Sequence, residues 1–140
     1  MLGLLALAAA VTPAPLDPKV LDHVSLDTIE WKVSPSGTAS AMIVGDPTKP
    51  GLYIQLIKWA PWQTSRPHFH GHARYITVLR GVWWVGTGPK YDLAGMTPMP
   101  AGSVVTHFPG GIHYDGAHEE GAIIEIVGDG PSGMTPAEQK

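Results

Sequence analysis

The residues best suited to chemistry in this 140-residue chain are its seven histidines, and three of them, His68, His70 and His72, fall within five positions. On an extended strand, side chains alternate faces, so His68 and His70 point the same way and Phe69 the other. Two imidazoles placed like this can chelate one ion. Pro67 fixes the backbone just before them. A third ligand has to come from elsewhere in the chain. The stretch VVTHFPGGIHYDGA, residues 104–117, offers His113 just after a Pro-Gly-Gly turn that can fold it back over the first pair. The chain has no cysteine, so disulfides, thiolate ligands and a Cys nucleophile are excluded. A metal must therefore be held by nitrogen and oxygen, and imidazole suits Zn, Fe, Ni or Cu.

Further candidates surround this trio. His72 shares strand parity with His68 and His70, although Gly71 can break the strand between them. His107 lies on the strand leading into the turn; either it or His72 could add a fourth ligand. Asp115 shares parity with His113 and could orient an imidazole. Glu125 is the candidate general base if its face is the cavity, and a solvated strand residue if it is not. Tyr53, Tyr75, Trp84 and Phe108 are expected, with Asp115, to line a mostly apolar pocket. Trp83 and Trp84 are adjacent, so at most one faces inward, and the other needs a partner such as a second subunit. Trp59 and Trp62 flank a proline turn and could cover the mouth of the pocket.

The elements that must position these residues read as short strands. Gly and Pro number 17 and 14, and turn signals recur every several residues. Strands are expected over residues 29–33, 39–44, 52–59, 68–70, 75–85 with a joint at Gly81, 103–108, 112–114 and 121–127. Residues 96–100 read as a proline-flanked bridge, and residues 128–140 as a polar tail that frays, with a short helical turn after Pro136. No long segment has helical periodicity. The expected fold class is all-β, a sandwich or barrel.

Two segments resemble the paired motifs of the cupin superfamily. The first motif is His-x-His, a short spacer, Glu, six residues and Gly; here it reads His68, His70, Arg74, Gly81. The second is matched in register by Gly102, Gly110 and His113, with Phe108 at the usual Pro position and Ala117 at the usual Asn. The resemblance spans residues 52–127. It implies a double-stranded β-helix, or jelly roll, with one divalent transition metal (Fe, Mn, Zn, Ni or Cu) inside the barrel. It also implies an enzyme, with dioxygenase-like oxidoreductase chemistry placed slightly ahead of a lyase, isomerase or hydrolase. A non-catalytic periplasmic binder of metal or small ligand is the reading from another class. Arg74 departs from the motif, because a guanidinium cannot ligate a metal. A site of three neutral histidines then favours an anionic ligand. Arg74 either pairs with a substrate carboxylate or turns to the rim and pairs with a surface acid.

Composition bounds the partners. Net charge is −3, which gives no basic surplus for a nucleic acid backbone. A small molecule is the expected partner, and a weakly charged surface with paired tryptophans favours a homodimer. Residues 1–11, MLGLLALAAAV, have the length of a secretory h-region with small residues for cleavage, but no Lys or Arg precedes them. The run is too short for a stable membrane anchor. Export to the periplasm or medium is one reading; a cytoplasmic protein with an apolar arm is the other. The expected division is a signal and linker over 1–18, one domain over 19–130 and a tail over 131–140.

Overall fold

The structure is a computed structural model that describes residues 12–140; the candidate export segment, residues 1–11, lies outside the described residues. Nine strands follow in chain order: β1 (Lys32–Val33), β2 (Ala39–Val44), β3 (Gly51–Trp59), β4 (His68–Phe69), β5 (Arg74–Thr87), β6 (Thr97–Pro100), β7 (Val104–His107), β8 (His113–Gly130) and β9 (Thr135–Pro136). All their pairings are antiparallel. Among the described residues there is no helix, hence none long and apolar enough to cross a membrane.

Two long strands, β5 and β8, organise the molecule. They pair along nearly their whole length, from Arg74 opposite Gly128 to Thr87 opposite His113. Midway the register shifts between Val78 and Arg80 and again between Gly81 and Trp83. Bulges of this kind bend a strand and increase its twist. Gly81 and Gly121 stand at this corner with φ of 73° and 72°. A Cβ on Gly81 would lie 2.2 Å from the Gly121 carbonyl oxygen, so the close approach needs glycine. Beyond the corner the strands enter a different sheet. One sheet runs β1-β2-β3-β8-β5-β7, using residues 122–130 of β8 and 74–81 of β5. The other runs β9-β4-β8-β5-β6, using residues 113–117 of β8 and 83–87 of β5. This is a double-stranded β-helix, the fold class expected from the sequence.

The corner also flips which residues point inward. Ile76 and Val78 are buried before it, Trp83 and Val85 after it. On β8 the inward set changes from His113, Asp115 and Ala117 to Ala122, Ile124 and Ile126. The apolar members of these sets and Tyr53 form one core between the sheets.

Three expectations change. Residues 96–100 form an edge strand, β6, against residues 82–85; its prolines are tolerated because an edge needs no donors on its outer side. The two late strands are one, β8, because Gly116 lets the chain lie against the loop at Gln63 and Thr64: a Cβ there would sit 2.2 Å from the Gln63 carbonyl oxygen. The C-terminal tail is not a fraying end with a helical turn. Its β9 pairs with β4, Thr135 opposite Phe69 and Pro136 opposite His68. Arg66 grips Glu138 with two guanidinium nitrogens while its guanidinium carbon lies 3.9 Å from the Tyr91 ring centroid.

Candidate metal centre

His68 on β4 and His113 on β8 are direct cross-strand partners, so their rings must lie side by side. The ring centroids are 4.4 Å apart, and those of His70 lie 4.9 Å from His68 and 5.4 Å from His113. One candidate ligand atom from each residue lies within 4.8 Å of the others. All three residues are buried.

Each ring is held from behind by a backbone carbonyl. The Nδ1 of His68 lies 2.8 Å from the Arg66 oxygen, that of His70 2.7 Å from Gly133, and that of His113 2.9 Å from Gly111. Carbonyls only accept, so each Nδ1 carries a proton, and in the neutral ring the lone pair is then on Nε2. The Nε2 atoms of His70 and His113 are buried with no hydrogen-bond partner. Burial, then the nearby Arg74 cation, pushes His70 down to about 3. Burial likewise pushes His113 down. Neutral imidazoles, fixed in one tautomer with orphaned Nε2 atoms, are what a metal needs from histidine. The donor set fits a divalent transition metal.

His107 is buried beside this group, its ring centroid 3.8 Å from that of His113, but it is not part of the three-histidine cluster. Arg74 explains its orientation. The two residues are cross-strand partners on β5 and β7, and an Arg74 terminal nitrogen lies 3.3 Å from His107 Nδ1. Arginine can only donate, so Nδ1 accepts and Nε2 carries the proton. Burial and the adjacent His113 push His107 down to about 2. On its other side Arg74 faces Gly128 of β8, which in turn faces Tyr53 of β3. A Cβ on Gly128 would come within 2.8 Å of the Tyr53 hydroxyl, so glycine leaves room for that ring beside the arginine.

A cavity of about 460 Å³ opens on this group. His68, His70, Arg74 and Asp115 supply its chemistry; Ile57, Ile124, Ile126, Trp59 and Met134 supply an apolar wall. Asp115 accepts a 2.5 Å hydrogen bond from Ser65 Oγ, while its own amide donates to the same oxygen at 2.9 Å.

The structure brings together His68, His70, His113, His107, Arg74 and Asp115, whereas Tyr53, expected to line the pocket, lies in the hydrophobic core. It does not bring in the rest. His72 is exposed, past the end of β4. Tyr75 and Phe108 are 56% and 73% exposed, each one residue out of phase with an inward neighbour. Glu125 lies between the cavity-lining Ile124 and Ile126 and points to the opposite face. Trp84 packs on His118 outside the cavity at 4.0 Å, so its partner is within the chain, while Trp83 is fully buried. Trp62 also stacks on His118, at 5.4 Å, so only Trp59 of that pair borders the cavity. Arg74 faces the cavity and makes no salt bridge among the described residues, which speaks against the rim alternative. Sequence reasoning missed Gln55, Gln63, Ser65 and Gly133. Gln55 was within reach, since it shares parity with Tyr53; the others sit on loops that carry no periodic signal.

A jelly roll with a buried histidine cluster facing an internal cavity defines the class of protein. Known structures share the fold. The polyketide cyclase RemF from Streptomyces resistomycificus superposes with a TM-score of 0.70 at 14% identity, covering 86% of this chain and 87% of that one. An uncharacterized double-stranded β-helix protein from Klebsiella pneumoniae gives 0.63 at 21% identity, covering 84% and 97%. The DMSP lyase DddQ from Ruegeria pomeroyi gives 0.60 at 13%, covering 81% and 64%. Other similar structures are described as cupins. No protein-family model and no curated protein matches the sequence. The chain has the cupin fold.

Proposed function

We propose that this chain is a metal-dependent enzyme acting on a small molecule, with His68, His70 and His113 as the protein's ligands to the ion. The observation that carries this reading is the set of buried rings whose Nδ1 atoms are tied to carbonyls while the Nε2 atoms of His70 and His113 have no partner. A divalent ion on three imidazoles supplies Lewis acidity and keeps positions open for substrate.

The chain's own residues do the rest. The carbonyls of Arg66, Gly111 and Gly133 hold the ligand tautomers. The isoleucines and Trp59 keep bulk water from the reacting end. Similar structures named as a cyclase and a lyase favour non-oxidative chemistry over the dioxygenase-like chemistry that the motif resemblance implies. Glu125, on the wrong face, has no part in it.

Elemental analysis of natively purified protein tests the reading. One transition metal per chain is expected, lost in His68→Ala, His70→Ala and His113→Ala. Turnover of a panel of diketones, hydroxy acids and phenols, followed with and without oxygen uptake, then separates Lewis-acid from oxygenase chemistry. Wild-type protein without metal, and taking up none from zinc, iron or manganese solutions, overturns the proposal.

A further inference from the structure

Arg74 is a permanent cation in the cavity wall without an anionic partner. Its side chain is largely withdrawn from solvent, and its Nε is buried with no hydrogen-bond partner. No carboxylate oxygen of the described residues lies within salt-bridge distance of it. The nearest candidate, Asp115, is engaged with Ser65 through a hydroxyl and an amide hydrogen bond. His107 takes only one of the guanidinium's donors, through its Nδ1. Nothing else in the row Tyr53, Gly128, Arg74 and His107 carries negative charge. A buried polar group without partners is costly, and a buried charge more so, unless something else completes it.

The rest of the cavity describes what completes it. Beside Arg74 stand the imidazoles of His68 and His70. Ile57, Ile124, Ile126 and Trp59 form an apolar wall, with Gln55, Thr38 and Gln63 as polar neighbours. The shape asks for an anion at one end and an apolar body at the other. A carboxylate matches the planar fork of the guanidinium, which a phosphate matches equally in geometry. The apolar wall favours the smaller charge of a carboxylate, and the cavity's other arginine, Arg66, is already paired with Glu138.

We propose that the substrate is a small carboxylate with an apolar body, its carboxylate held by Arg74 and its body along the isoleucine wall. This names the substrate class of the metal site and rests on that reading. Arg74 acts as a binding residue, held on one side by His107 at 3.3 Å.

Benzoate and its neutral isostere benzamide serve as probes. Calorimetric titration into full-length protein, zinc-loaded and chelator-stripped, is run beside elemental analysis of the same samples. Benzoate should bind zinc-loaded wild type about ten- to a hundredfold more tightly than benzamide, the margin of charge-assisted hydrogen bonds. Arg74→Gln should remove that preference, and Arg74→Lys should retain part of it, both with zinc content unchanged. Equal binding of the two probes, absence of benzoate binding, or undiminished preference in folded Arg74→Gln overturns the inference. The wild-type comparison needs no variant, so it stands if Arg74→Gln fails to fold. Preference for benzoate in a protein that takes up no metal would sink the metal reading and leave this one standing. Bound zinc with no such preference would do the reverse.

Discussion

β8 carries two histidines five residues apart, and they have opposite fates. His113 points inward; its Nδ1 is anchored to a backbone carbonyl and its Nε2 is buried without a hydrogen-bond partner. His118 points outward and lies between two indoles, Trp84 at 4.0 Å and 11° and Trp62 at 5.4 Å and 16°. Its Nε2 is also buried without a partner. A buried, orphaned Nε2 is thus common to both, and by itself it does not identify a ligand. What separates them is the company. Around His113 there are two more imidazoles with converging nitrogens; around His118 there are aromatic faces that reward flat packing. The same side chain on the same strand becomes a donor or a spacer according to which sheet face it occupies.

The comparison breaks most visibly in metal binding. His113→Ala should weaken zinc binding by more than about a hundredfold, since even the loss of a residue supporting a ligand costs 10–100-fold. His118→Ala should leave affinity within about twofold, because among the described residues His118 belongs to no group of three converging ligand atoms. Competition against a chromophoric chelator measures both. Comparable losses in the two variants would mean that the aromatic sandwich also holds metal.

The next effect concerns what holds the donors in place. Truncation after Pro131 removes the Gly133 carbonyl from His70 Nδ1 and the β9 pairing from His68. Zinc affinity should fall about 10–100-fold. The melting temperature should move little, since the segment buries almost no apolar side chain. A truncated protein with wild-type affinity would show that the tail only covers the ligands and does not orient them.

How much of this was legible follows from the corner in β5 and β8. The pair His68 and His70 was legible because strict alternation holds within one short strand. His113 was legible as a candidate from its turn, though its place opposite His68 is set by register. Beyond the corner, parity counted from one end fails. Counting by twos from His113 puts Glu125 inside, yet the residues between Ala117 and Ala122 reverse the phase and turn Ile124 and Ile126 inward instead. The same reversal on β5 puts Trp83 inside and Trp84 outside. Tyr75 and Phe108 each stand one residue from an inward neighbour, Arg74 or Ile76 and His107, so their aromatic character misled. The tail was illegible for another reason: its pairing uses backbone groups and one ion pair, and neither leaves a hydrophobic pattern.

The adjacent tryptophans sharpen the contrast in stability. Trp83 is fully buried in the core, so Trp83→Ala should cost about 3–5 kcal/mol, the range for a large core aromatic. Trp84→Ala loses the stack on His118 and a partly exposed surface, and about 1–2 kcal/mol is expected. Urea denaturation resolves the difference. Equal costs would mean that the outer sandwich is as closely packed as the core.

The smallest effect is in acid. In metal-free protein His70 and His107 stay neutral down to about pH 3 and 2, whereas in the unfolded chain both take protons below the ordinary value of 6.5. The unfolded state therefore binds more protons throughout that window, and stability must fall as pH falls through it. Between pH 7 and pH 6 the two histidines together should remove on the order of 1 kcal/mol, read as a lower urea midpoint after chelation. His107→Gln should flatten the dependence, since glutamine keeps an amide for Arg74 but takes no proton. Saturating zinc should shift the curve towards lower pH, because the metal must be displaced before His70 can be protonated. A midpoint that rises on acidification would mean that these rings fold as cations, and cationic rings could hold no metal.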